Sequence, residues 1–104
     1  MIRQLVALTS DVPRGGLLRV EVAGHTLCVA HAVDGSFYAL EDECPHEQAW
    51  LSEGELEGCE IECPLHYSRF DLRTGEDRSL PATMSATTYH VEVEGRDVYV
   101  NLPV

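Results

Sequence analysis

The chain of 104 residues is long enough for one domain with a modest core and too short for two. It carries 18 acidic residues against seven basic ones, all arginine, for a formal net charge of −11. That balance argues against nucleic acid and anionic membranes as partners, and no apolar run approaches the length of a membrane span.

Alternation with a period of two dominates, and no stretch shows a helical period. Met1 to Ser10 reads as an alternating strand and lacks the basic-then-apolar order of a secretory leader, so a cytoplasmic location is expected. In that compartment the four cysteines stay reduced. Leu18, Val20 and Val22 point one way while Arg19 and Glu21 point the other. Ala23-Gly24-His25 then turns the chain into a strand from Thr26 to Ala32, and Asp34-Gly35 turns it again into Phe37 to Leu40. Near the C-terminus Tyr89, Val91 and Val93 alternate with His90, Glu92 and Glu94, and Glu94-Gly95-Arg96-Asp97 makes a hairpin into Val98, Val100 and Leu102. Short strands joined by Gly-containing turns predict an all-β fold, an antiparallel sandwich or barrel. The strand pattern breaks between about Glu43 and Ser68, a stretch holding Pro45, Gly54, Gly58 and Pro64. We expect a single domain, 1–104, in which a small subdomain of about 43–68 is inserted into a β base of about 1–42 and 69–104.

Two short motifs fall inside that insert, Cys44-Pro45-His46 and Cys63-Pro64-Leu65-His66, sixteen residues apart. Each offers one thiol and one imidazole. Two such loops facing each other can hold a [2Fe–2S] cluster unevenly, Cys44 and Cys63 on one iron and His46 and His66 on the other. Tetrahedral zinc also takes two Cys and two His. Zinc modules, however, commonly pair like with like, whereas here each loop pairs unlike ligands and the first pair is split by one residue. Such tight spacing suits divergence onto two irons. The alternative class is then a zinc-stapled interaction module without redox chemistry.

The acids are unevenly spread. Nine of them, from Glu41 to Glu62, crowd into 22 residues without one Lys or Arg, bracketing the first motif. The plain reading is a solvated face; the functional one is a docking surface that steers basic partners. An oxidised cluster with two thiolates and neutral imidazoles is itself uncharged, so cluster binding leaves the balance as it stands.

Over nearly its whole length the chain resembles a soluble bacterial Rieske-type [2Fe–2S] ferredoxin of the aromatic-ring-hydroxylating dioxygenase systems. The likeness is strongest from Glu57 to His66 and in Arg69-Phe70-Asp71 and Thr74-Gly75, with Ala49, Leu51, Ser52 and Gly54 also fitting. It implies an all-β Rieske fold of three antiparallel sheets with His46 and His66 at the exposed tip. It also implies two protein partners: an NAD(P)H-dependent flavoprotein reductase that donates electrons and a terminal oxygenase that accepts them. The chain is then an electron carrier and not itself an enzyme. Terminal oxygenase subunits share the motif but need a further large domain with a mononuclear iron site. Respiratory relatives carry two extra cysteines and a membrane anchor, and here Glu47-Gln48-Ala49 and Pro64-Leu65 stand where those cysteines would fall. The small Rieske subunit of an assimilatory nitrite reductase is the alternative within the family.

Neutral imidazoles make such a cluster easier to reduce than an all-thiolate one, and Rieske centres span about −150 to +300 mV. We expect the low end, because respiratory relatives have a hydrogen-bonding Tyr where this chain has Phe70. Ser68 opposes this if its hydroxyl donates to a bridging sulfide, and does nothing if it faces solvent. Reduction should also make the ligand imidazoles hold their second protons more tightly, so the potential should fall with rising pH. Cys28 and Cys59 read as structural, His25, His31 and His90 as surface residues, and Pro81 as part of a third, shielding loop. Trp50 packs either over the insert or on the docking face.

Overall fold

A computed structural model describes residues 1–45, 48–65, 67–78 and 84–103. Its strands are β1 (Ile2–Leu8), β2 (Leu17–Val22), β3 (His25–His31), β4 (Phe37–Glu41), β5 (Glu55–Glu57), β6 (Glu60–Glu62), β7 (Arg69–Asp71), β8 (Thr88–Tyr89), β9 (Val91–Glu94) and β10 (Asp97–Leu102). They form three antiparallel sheets, ordered β1-β10-β9, β2-β3-β4-β8 and β5-β6-β7. The fold is all-β, as the alternation predicts.

The β2–β3 turn shows how local sequence sets register. Ala23 and Gly24 both have positive φ, 50° and 79°, so the two-residue turn closes Val22 onto His25 with the twist that antiparallel strands prefer. Gly24 takes that geometry freely, and Ala23 is carried along by it.

Strand β3 is the shared wall of the molecule. Leu27, Cys28, Val29 and Ala30 are all fully buried, which requires cover on both faces. Leu27 packs with Ala39, Val100 and Leu102, toward the sheet that holds β10. Cys28 and Ala30 face the other way, into a cluster with Leu40, Leu51, Ile61 and Phe70. That second cluster joins the β5-β6-β7 sheet to the rest of the chain, because Leu56, Ile61 and Phe70 line its inner face while the glutamates point out.

Two expectations need correction. The stretch from 43 to 68 is not free of strands: β5 and β6 lie within it, paired across Gly58-Cys59. His31 is half-buried and not a surface residue. Its Nδ1 donates to the Val12 carbonyl at 2.8 Å and its ring stacks on Phe37 at 4.0 Å.

Candidate metal centre

Both cysteines of the two motifs end a backbone ladder. Beneath Cys63, strands β6 and β7 pair Ile61 with Phe70 and Glu62 with Arg69. The Cys63 amide then donates to the Ser68 carbonyl at 2.7 Å. Beneath Cys44, the Leu51 amide donates to the Asp42 carbonyl at 2.7 Å and Glu43 bridges Trp50. The Cys44 amide donates to the Ala49 carbonyl at 2.8 Å. In each hairpin the cysteine is the last bonded rung among the described residues, and by sequence four residues, 45–48 or 64–67, separate it from its partner.

Gly54 brings the hairpins side by side. A Cβ there would overlap the carbonyl of Glu62, the residue before Cys63. As a result Cys44 and Cys63, 3% and 0% exposed, share one apolar cluster with Ala49, Leu51, Ile61 and Phe70. Two thiols shielded from water on paired hairpins match the thiolate end of a mixed-ligand cluster. His46 and His66 lie outside the described residues, as do Glu47 and Pro81.

Neither of the other cysteines joins the pair. Among the described residues no three His, Cys, Asp or Glu side chains gather closely enough to hold a metal ion. Cys28 is fully buried in the same apolar cluster, and burial pushes its thiol well above the ordinary range, with the charge of Asp42 adding to the effect. Cys59 sits in the β5–β6 turn, where its carbonyl accepts from the Leu72 amide at 2.9 Å and its Sγ lies 3.8 Å from the Asp34 carboxylate. No cysteine is in a disulfide.

Six of the nine acids in the stretch fall into three groups. Asp42 is fully buried and belongs to no surface: its carboxylate accepts from the Arg19 Nε at 2.8 Å, the Ser52 amide at 2.7 Å and the Ser52 hydroxyl at 2.8 Å. Glu57, Glu60 and Glu62 surround the Arg69 guanidinium, the first at 2.9 Å, and Arg78 adds a second contact to Glu60. Glu53 and Glu55 are exposed, with no arginine partner among the described residues. With Glu62 they rim a shallow groove beside Pro64 and Tyr67 of the second tip. Tyr67 is 70% exposed and holds a left-handed backbone, φ 57°, which for a bulky residue is strained. The Arg19–Asp42 pair has no signature in the sequence, since its members lie on different elements 23 residues apart.

A model of the Rieske [2Fe–2S] domain family matches residues 2–90. The 3-phenylpropionate/cinnamic acid dioxygenase ferredoxin subunit of Escherichia coli (strain K12) is 45% identical over 95 residues, covering 90% of this chain and 88% of its own. Among solved structures, a chain from the complex of reduced oxygenase and oxidised ferredoxin in carbazole 1,9a-dioxygenase superposes with a TM-score of 0.86 at 42% identity, covering 95% of this chain and 92% of that one. The ferredoxin of carbazole 1,9a-dioxygenase from Nocardioides aromaticivorans gives 0.88 at 34% identity, covering 96% and 97%. No helix among the described residues is long and apolar enough to cross a membrane.

Proposed function

The chain belongs to the Rieske [2Fe–2S] domain family, and on that premise we propose that it carries single electrons from an NAD(P)H-dependent flavoprotein reductase to a terminal aromatic-ring-hydroxylating oxygenase in the cytoplasm. Family membership also decides between the two metal chemistries: the cofactor is a Rieske-type [2Fe–2S] cluster and not zinc. Bound here, the cluster supplies reversible one-electron storage. Cys44 and Cys63 would hold one iron and His46 and His66 the other, on an insert of about 43–68 within a base of about 1–42 and 69–104.

The observation that carries this reading is the pairing of two Cys-closed hairpins in one buried apolar cluster, in a chain whose dioxygenase ferredoxin relatives match it almost end to end. The chain's own groups then divide the work. Ala49, Leu51, Ile61 and Phe70 keep water from the thiolate side. The second tip, with exposed Pro64, Leu65 and Tyr67, offers the short path outward that electron exchange needs. Glu53 and Glu55 beside it attract a basic partner face.

Iron and sulfide analysis, with electron paramagnetic resonance of the dithionite-reduced protein, tests the cofactor. Two irons, two sulfides and a mixed nitrogen–sulfur signature are expected; colourless protein or four thiolate donors would refute it. Turnover of an aromatic substrate by reductase and oxygenase that depends on added chain tests the role.

A further inference from the structure

The two ligand hairpins are braced by different means. Cys63 rests on registered β6–β7 pairs, so the sheet itself supports the second loop. Beneath Cys44 no strand pair is formed among the described residues: the stem has the Leu51–Asp42 main-chain bond and the isolated Glu43–Trp50 bridge, followed by a 3₁₀ turn at Leu51–Glu53. A loop with so short a ladder needs another restraint. The side chains supply one.

We propose that Arg19 is a positioning residue that clamps the stem of the first cluster loop to the β base, an inference that rests on the electron-carrier reading above. Arg19 lies on β2, opposite Cys28 of β3. Its Nε donates to Asp42 on the incoming side of the stem, at 2.8 Å, and its guanidinium lies over the Trp50 ring on the outgoing side, 4.3 Å from the centroid. Asp42 in turn binds both the amide and the hydroxyl of Ser52, and its own amide donates to the Thr26 carbonyl of β3 at 2.9 Å. One cation therefore grips both sides of the stem, with a fully buried carboxylate as the junction.

The arrangement is costly unless complete. A buried carboxylate that loses its cation is left uncompensated, and a planar guanidinium can bond one group in its plane while covering a ring with its face, which an ammonium cannot. Removing Arg19 has two separable consequences. The stem loosens, so Cys44 samples a wider range of positions relative to Cys63. The Asp42 charge, two residues from Cys44, is also no longer balanced, which disfavours adding an electron nearby.

The test uses the holoprotein and the variants Arg19→Met, Arg19→Lys and Trp50→Leu. Hydrogen exchange of segments 42–52 and 61–70, the linewidth of the reduced paramagnetic signal and the reduction potential are measured on each. Arg19→Met should exchange at least tenfold faster in 42–52 with 61–70 unchanged, broaden the signal and lower the potential; adding Asp42→Asn should bring the potential back. Arg19→Lys, which keeps the charge and tests the idea should the Met variant not fold, should retain the parent potential while still broadening the signal. Trp50→Leu should broaden it likewise. Equal acceleration in both segments, or parent-like linewidth and potential in Arg19→Met, would overturn the proposal. A parent protein without a Rieske signal would instead overturn the reading it rests on.

Discussion

Cys44 and Cys63 are held by the same main-chain bond: each amide donates to the carbonyl five residues on, to Ala49 at 2.8 Å and to Ser68 at 2.7 Å. Each bond closes a loop that starts at a thiol and includes a motif histidine by sequence, two residues on in the first and three in the second. The thiols are thereby fixed at the inner ends of the two loops, in the apolar cluster.

Position should therefore decide which cysteines matter. Cys44→Ser and Cys63→Ser are expected to lose the cluster, read as loss of iron and sulfide. Cys59→Ser should load normally, since Cys59 sits in the β5–β6 turn with its thiol beside Asp34. Cys28→Ser should also load but cost roughly 1–3 kcal/mol, because it buries a hydroxyl in an apolar cluster. Denaturant unfolding checks that figure.

Gly54→Ala tests the joining of the hairpins. A Cβ at residue 54 would overlap the Glu62 carbonyl, so residues 54 and 62 must part and carry Cys44 away from Cys63. Faster loss of colour on heating is expected, with the β1-β10-β9 sheet intact by circular dichroism. Unchanged cluster lifetime would show that the hairpins tolerate separation.

The long alternating strands and the metal motifs were legible because both signals are local. Burial alternates along β2 from Leu18 to Val22, between half-buried and exposed, and along all of β10, between half-buried and buried, and ligand spacing is written in a few adjacent letters. β5, β6 and β7 carry no such signal, because three residues are too few to show a period. Their pairing depends instead on Leu56 and Ile61 packing against Phe70, a partner distant in the chain. The burial of Asp42 is illegible for the same reason: it depends on Arg19, on another strand, and nothing in the run Glu41-Asp42-Glu43 marks the middle residue as different.

The potential should respond to hydroxyls introduced or removed near the thiols. Phe70 is fully buried in the cluster that contains Cys44 and Cys63 and donates no side-chain hydrogen bond. Phe70→Tyr should raise the potential, and Ser68→Ala should lower it where the Ser68 hydroxyl bonds a sulfide. A differential of about 1 kcal/mol corresponds to about 40 mV for one electron. Protein-film voltammetry reads both; an unchanged value for Ser68→Ala leaves that hydroxyl without a tuning role.

Tyr89 should make part of the stability depend on alkaline pH. Its hydroxyl donates to the Glu41 carboxylate at 2.9 Å, joining β8 to β4, and burial together with that bond pushes its ionisation up to about 12. The folded state thus keeps a proton that the unfolded chain releases near pH 10. Stability from this group is full below about pH 10 and is lost as pH rises through about 12. Tyr89→Phe should start less stable by about 1 kcal/mol yet lose less between pH 10 and 12, as followed by thermal melting. Parallel curves for parent and variant would exclude Tyr89 as the titrating group.

Charge at the second tip should govern how fast partners arrive. Glu53 and Glu55 rim the groove beside Pro64 and Tyr67, whereas Glu94 lies on β9 in another sheet and pairs with Arg3. Removing any one of the three changes the net charge equally, so only place distinguishes them. Glu53→Gln and Glu55→Gln should each slow association with reductase or oxygenase a few-fold at low ionic strength, and Glu94→Gln should do less. The difference should vanish at about 1 M salt, where charges are screened beyond about 3 Å. Stopped-flow electron transfer against salt concentration reads the effect. Equal slowing by all three variants would mean that partners sense overall charge and that the tip carries no steering surface of its own.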